Sequence, residues 1–423
     1  MVEETPWQQA LRYVNRANPY PFYAELRKTP VSRQPDGTYV VSTYHEIVAL
    51  LHDPRVSSDL RKRPQPGAPA PPAQTETEPV TDPIPGPVME PSIITTDPPE
   101  HDRARSHLMR HFGPPHSPHF VSDMEPQFHQ IVGDLLDRMK GKARIDVVQE
   151  FAYPLPVSVI CRVLGVPLED EPIFHSCIQK FLEGLDLGPE GASEEQQRLQ
   201  IEGGQAVLDL AKYLAGLIDR YEKEPGPGMI SALLHDDGPY GPMPKSRLVS
   251  NAELLLFAGH ETTVNLISHS VLTLLRHPDA LEKLRRRPEL IVTAIEEFLR
   301  LESSVQFWPT RSALEDIEIA GTTIPKGSPI YLLYGSGNRD PERFTNPDEL
   351  DIEREDNAHL GYSQGIHVCF GGPLARLEVQ VAISEFVRRV QNPRLVEDPP
   401  PYRHNQIFRG PRQLLVYIDG IRD

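Results

Sequence analysis

Cysteine is scarce: the 423-residue chain holds only Cys161, Cys177 and Cys369. Three scattered thiols cannot build a disulfide framework, so a reducing cytoplasm is the expected setting. Long apolar runs are missing as well, and no membrane span is expected. The first ten residues are polar and acidic, which fits neither a signal peptide nor an anchor. Positive charge is in deficit, with 43 Lys and Arg against 60 Asp and Glu. A net charge of −17 argues against a nucleic-acid partner, because phosphate binding needs a basic surface. It fits a solvated surface, and a monomer is expected.

What is present is proline, 45 residues of it. They crowd into the stretch 63–99, where no regular helix or strand is expected. That stretch reads as a long surface loop, functional or disordered. Before it, an Asp36-Gly37 turn opens a strand, and 44–52 reads as a short helix. Helical patterning then covers 100–112, 119–140, 145–152, 155–164, 170–184, 194–222, 227–235, 245–276, 279–285, 289–301 and 373–391. Strand signals sit at 314–320, 329–333 and 412–418. The fold class is mainly α with a small β part (α+β) near one end of the chain. Residues 1–423 read as one domain.

Three segments carry chemistry. Cys369 stands in the glycine-rich run Gly361-Tyr-Ser-Gln-Gly-Ile-His-Val-Cys-Phe-Gly-Gly-Pro-Leu-Ala-Arg376, just before a helix opened by Pro373. Free amides and the positive helix end favour a thiolate there. Taken alone, a buried inert cysteine is the simpler reading. No second cysteine lies nearby to complete a zinc site. The absence of Cys-x-x-Cys-His rules out covalent c-type haem. The second segment is a helix over 245–276, roughly 48 Å long. Its apolar middle holds a polar island, Gly259-His-Glu-Thr-Thr-Val-Asn265. Polar groups buried there need partners, so an internal network or a kink competes with chemistry. His260 reads as a plain polar residue. Third, Glu297 and Arg300 share one helix face, a spacing that is usually a weak surface pair.

Together these segments resemble the cytochrome P450 family. The cysteine run matches its haem-binding signature, Phe-Gly-x-Gly-x-His-x-Cys-x-Gly before Leu-Ala-Arg, with Tyr362 for the usual Phe and Ser363 for the usual Gly. Ala258-Gly-His-Glu-Thr262 matches the oxygen-activation motif, and Glu297-x-x-Arg300 the structural pair. The resemblance runs from about residue 13 to the C-terminus.

It implies a long central helix over haem b, held by Cys369 as the metal ligand. A cysteinate pushes electron density onto iron and favours O–O cleavage. Gly259 and Thr262 would open a groove for dioxygen. Thr262 would hydrogen-bond the oxygen species, and Glu261 would relay protons. Arg343 matches the third partner of the Glu297–Arg300 pair. His101, Arg105, Arg311 and His367 match the residues that hold the haem carboxylates. Leu255, Ala258, Val305, Phe307 and Trp308 are candidate substrate contacts, together with the Pro-rich stretch 63–99, and core packing is the rival reading for Phe307 and Trp308. The run 305–311 is one residue longer than the family pattern.

The implied activity is monooxygenation, most simply hydroxylation, of a small to medium hydrophobic substrate. Electrons would come from NAD(P)H through a separate small acidic ferredoxin and its reductase, docking near Arg103, Arg110 and Arg376. Two rivals are a peroxide-driven haem-thiolate peroxygenase and a non-catalytic haem-fold recruitment or sensor protein.

Overall fold

The computed structural model describes residues 4–62, 90–114, 116–185 and 194–423. Most of the proline-rich stretch, 63–89, lies outside the described residues. Six helices and one sheet position the site. They are α1 (Glu100–Met109), α2 (Pro154–Leu164), α3 (Glu171–Gly184), α4 (Lys245–Arg276), α5 (Ile291–Leu301) and α6 (Gly372–Arg389).

The sheet has strands β1 (Val31–Arg33), β2 (Tyr39–Val41), β3 (Val56–Ser57), β4 (Trp308–Ala313) and β5 (Pro329–Leu332). Their order is β1-β2-β5-β4-β3. β2 and β5 run parallel, Val40 opposite Tyr331, and the other pairs are antiparallel. Three strands thus come from the first 60 residues and two from beyond 300. This corrects the expectation of a β part near one end of the chain. The expected strand over 314–320 is shorter, Ile317–Ile319, and pairs as a hairpin with Thr322–Ile324.

α4 matches its predicted span, because twenty of its residues are buried and the flanking Pro244 and Pro278 mark both ends. α2 starts with Pro154 in its first turn and stops at Gly165, which takes a left-handed φ of 83°. A Cβ at Gly165 would fall 1.9 Å from the Pro227 carbonyl oxygen, so only glycine fits there. The expected helix over 145–152 divides into a strand, Arg144–Asp146, and a π-helical turn, Val148–Ala152. The strand pairs with Leu415–Tyr417, a partner some 270 positions away that local periodicity cannot reveal. Among the described residues no helix is long and apolar enough to cross a membrane.

Candidate active site

The loop before α6 wraps around one sulfur. The backbone N–H of Cys369 donates to the Tyr362 carbonyl at 2.9 Å. The N–H groups of Gly371 and Gly372 donate to the sulfur, and Arg105 and Arg376 act on it as cations. Burial nevertheless wins and raises the thiol above its ordinary range. The donors alone do not yield the expected thiolate; a bound metal cation would. Cys369 is exposed, and its open surface lines an internal cavity. The other two thiols are free and chemically quiet. Cys161 is buried, which pushes it up to about 12.

The departures from the signature leave the loop's shape intact. Ser363 takes φ 58°, holding the left-handed turn usual for glycine at a cost of roughly 1–2 kcal/mol. Tyr362 keeps an aromatic ring and lies under the Arg376 guanidinium, 4.3 Å from its carbon. Arg376 in turn grips Glu296 with two bonds, at 2.7 and 2.8 Å.

Across the cavity runs the polar island of α4. Leu255, Ala258, Gly259 and Thr262 line the cavity. Thr262 Oγ1 donates to the Ala258 carbonyl at 3.0 Å. Gly259 has a packing role that its motif does not announce. A Cβ there would lie 2.5 Å from Ile160 Cδ1, so glycine is what lets α2 press against α4. Glu261 points away from this lining. It is fully buried, with Oε1 3.3 Å from Arg403 and 3.4 Å from the Asn265 amide. His260, read from sequence as a plain polar residue, is also fully buried.

Four cationic or imidazole groups converge at one edge. Arg105, Arg311 and His367 line the cavity, and the His101 and His367 rings meet at 4.6 Å between centroids. The Nε2 atoms of both histidines are buried without a hydrogen-bond partner. Burial, with Arg311 and His101 nearby, lowers His367 to about 3, so it stays neutral. Unpartnered buried ring nitrogens call for a ligand. Two imidazoles and two guanidiniums suit a group bearing two carboxylates. A planar macrocycle with an iron for the sulfur and two acid arms for these residues therefore fits what is present.

The cavity encloses about 1530 Å³ of atom-free space, part of it continuous with solvent. Val305 and Trp308 line it as expected. Phe307 does not. It is buried between Trp7 and Tyr331, at centroid distances of 5.0 and 5.5 Å, which corrects its place among the substrate contacts. The extra residue in 305–311 explains the parity. Trp308 opposes Leu332 while Arg311 opposes Ile330. Three steps on β4 match two on β5, so the insertion is absorbed as a β-bulge. Ile93 and Ile94, from the 63–99 stretch expected at the pocket, also line it; sequence reasoning missed Met229, Leu299 and Phe408. They come from separate elements with no shared motif, so only folding brings them together. It missed Glu378 too, whose buried carboxyl is raised well above its ordinary range.

The Glu297–Arg300 pair is fully buried, with bonds of 2.8 Å on both oxygens. Its third member is Arg354, whose Nε donates to Glu297 Oε2 at 3.0 Å. Arg343, the expected partner, instead holds Asp356 and lies over the Tyr44 and Phe344 rings. Of the three docking arginines, Arg103 is exposed, Arg110 is paired with Asp236 and Arg376 with Glu296.

A family model described as Cytochrome P450 matches residues 220–416. Cytochrome P450 107B1 of Saccharopolyspora erythraea is 36% identical over 402 residues, spanning 93% of this chain and 93% of that protein. The 6-deoxyerythronolide B hydroxylase of the same organism is 35% identical over 412 residues, spanning 95% and 96%. The crystal structure of CYP109E1 from Bacillus megaterium in complex with testosterone is similar at a TM-score of 0.84 and 30% identity, spanning 96% of this chain and all of that one. The family uses a haem cofactor and electrons from a reductant. Long similarity at this identity, on a fold that brings the cysteine loop and α4 to one cavity, places the chain in the cytochrome P450 family as a monooxygenase.

Proposed function

We propose that the chain binds haem b in this cavity, where Cys369 Sγ would hold the iron, and hydroxylates a small to medium hydrophobic substrate. One observation carries the reading: the open sulfur of Cys369 lines the same cavity as Gly259 and Thr262. A haem on a cysteinate ligand, when bound, activates dioxygen for transfer of one oxygen atom. The chain's own residues do the rest. His367 donates from Nε2, and Arg105 and Arg311 supply the positive charge, to hold the two haem carboxylates, with His101, its Nδ1 turned to Asp102, packed against the His367 ring. Thr262 offers its hydroxyl proton at the cavity wall, and Glu261 holds the proton that replaces it.

Leu255, Ala258, Val305 and Trp308 exclude water and present an apolar wall to the substrate. The substrate and ligand named for two relatives, 6-deoxyerythronolide B and testosterone, support an organic substrate of this kind. Residues from Ile93 to Phe408 line the one cavity, which supports reading 1–423 as a single haem domain. Electrons come from NAD(P)H through a separate ferredoxin and its reductase, and of the three expected docking arginines Arg103 is the exposed one.

The decisive measurement is the optical spectrum of the reduced carbon monoxide complex. A thiolate-type band is expected. Colourless protein, or a band like that of a histidine-ligated globin, would overturn the reading. Hydrophobic compounds are then screened for the optical shift that follows displacement of iron-bound water.

A further inference from the structure

Glu261 has no exposed surface, so water cannot screen its charge. A buried carboxyl with no cation beside it keeps its proton. A proton relay has to lose that proton as well as hold it. Whatever stabilises the ionised form therefore bears on the reaction.

The cation is Arg403, from a hairpin near the C-terminus. Its guanidinium lies 3.3 Å from Glu261 Oε1, and its side chain is 14% exposed. The Arg403 N–H donates to the Gly410 carbonyl at 3.0 Å, and the Arg412 N–H to the Pro401 carbonyl at 2.8 Å. The tip of the hairpin is tied to the run before β4. There the Gln306 N–H donates to the Ile407 carbonyl at 2.8 Å, and the Arg409 N–H to the Ser304 carbonyl at 2.9 Å. The hairpin also lies against α4, because Gly410 has no Cβ; one there would fall 2.0 Å from Asn265 Oδ1. The backbone that carries Arg403 is thus fixed on both sides of Glu261. The same hairpin puts Phe408 in the cavity wall.

The two oxygens of Glu261 are not used alike. Arg403 and the Asn265 amide, at 3.4 Å, both address Oε1. Oε2 is buried without a partner. A pair that serves packing alone engages both oxygens, as Arg300 does with Glu297. An unpartnered buried oxygen calls for a role.

We propose that Arg403 is a positioning residue for the proton relay, holding Glu261 by Oε1 as a carboxylate and leaving Oε2 free to gain and lose the proton. The inference rests on the relay role given to Glu261 above. One proton binds to Oε2 and leaves it, no electron moves, and Arg403 stays protonated throughout. The other titratable groups facing Glu261 are His260 on α4 and Tyr153 just before α2.

The test uses the holoenzyme and has two readouts. In the infrared spectrum of the ferric protein at neutral pH, Arg403→Gln should gain the carbonyl stretch of a protonated carboxylic acid. That band should be absent from Arg403→Lys and from the double variant Arg403→Gln with Glu261→Gln. Loosened packing would not produce a band that depends on Glu261. The second readout is turnover with a ferredoxin, its reductase, NADPH and a compound that gives the optical shift. Arg403→Gln should raise, several-fold, the fraction of consumed dioxygen released as hydrogen peroxide, and Arg403→Lys should recover most of the parent's coupling. Arg403→Met replaces the glutamine variant if the latter does not fold. Lack of a Glu261-dependent band overturns the inference. So does a lysine variant as uncoupled as the glutamine one, or a peroxide fraction equal to the parent's where Glu261→Gln raises it. Each of these leaves the haem reading standing. Glu261→Gln with the parent's peroxide fraction removes the relay role, and the inference with it. A parent without the thiolate-type carbon monoxide band overturns the haem reading instead.

Discussion

Arg354 and Arg300 share one oxygen: the Nε atoms of both donate to Glu297 Oε2, at 3.0 and 2.8 Å. Glu297 has no exposed surface, so removing one cation leaves buried negative charge undercompensated. Arg354→Ala should cost about 3 kcal/mol in denaturant unfolding of the holoenzyme. Arg343→Ala, losing a pair with the exposed Asp356, should cost about 1 kcal/mol or less. Equal losses would refute the assignment of Arg354 as the third member.

Gly259 and Ile160 make the contact that sets α2 against α4. Gly259→Ala drives a methyl into Ile160, which should cost about 1–3 kcal/mol. Shortening Ile160 to Ala in the same chain should recover part of that loss. Thermal unfolding of the two single variants and the double variant gives the coupling directly.

Adjacent aromatic residues should separate stability from binding. Phe307→Ala empties a packed site and should cost about 3–5 kcal/mol, with the ligand-induced optical shift intact. Trp308→Ala should instead change which hydrophobic compounds give that shift. A reversed result would mean that the bulge in β4 places the wrong side chain in the cavity.

Thr262→Ala should keep the thiolate-type carbon monoxide spectrum while more of the dioxygen consumed leaves as peroxide. The mechanism assigns Thr262 a proton to deliver and no part in holding the haem. Oxygen balance against product, once a substrate is found, checks it. Equal coupling in variant and parent would remove the role.

Acid should destabilise the protein in two stages. Burial lowers His269 to about 3, against an ordinary 6.5. The folded state therefore binds this proton less readily than the unfolded chain. Its stability contribution is complete above about pH 6.5 and falls toward pH 3, by at most about 1.4 kcal/mol per unit. Despite burial, Arg409 and Arg339 hold the Glu302 carboxyl at about 2, so its contribution is lost only below about 4.5. His269→Gln should flatten the upper stage and spare the lower one in urea unfolding measured from pH 7 to 3.

Much of the site could be read from neighbouring residues. The glycines and Pro373 around Cys369, and the polar island in an apolar helix, are local chemistry with fixed spacing. The six helices around the site were legible for the same reason, their apolar period, whereas the short helices Pro6–Leu11 and Tyr20–Arg27 were not. Arg343 was mistaken for Arg354 because both follow α5 in a charged stretch, and only the fold shows which one turns inward. Phe307 failed because a β-bulge flips side-chain parity, and a bulge depends on the partner strand. Arg403 lies 142 positions from Glu261, with no motif to link them.

The sequence by itself determined the cysteine loop, the long helix with its polar island and the family, because those depend on residues a few positions apart. Tertiary structure alone decided which side chains wall the cavity and what neutralises Glu261. Those are contacts between distant segments, fixed only when packing brings their surfaces together.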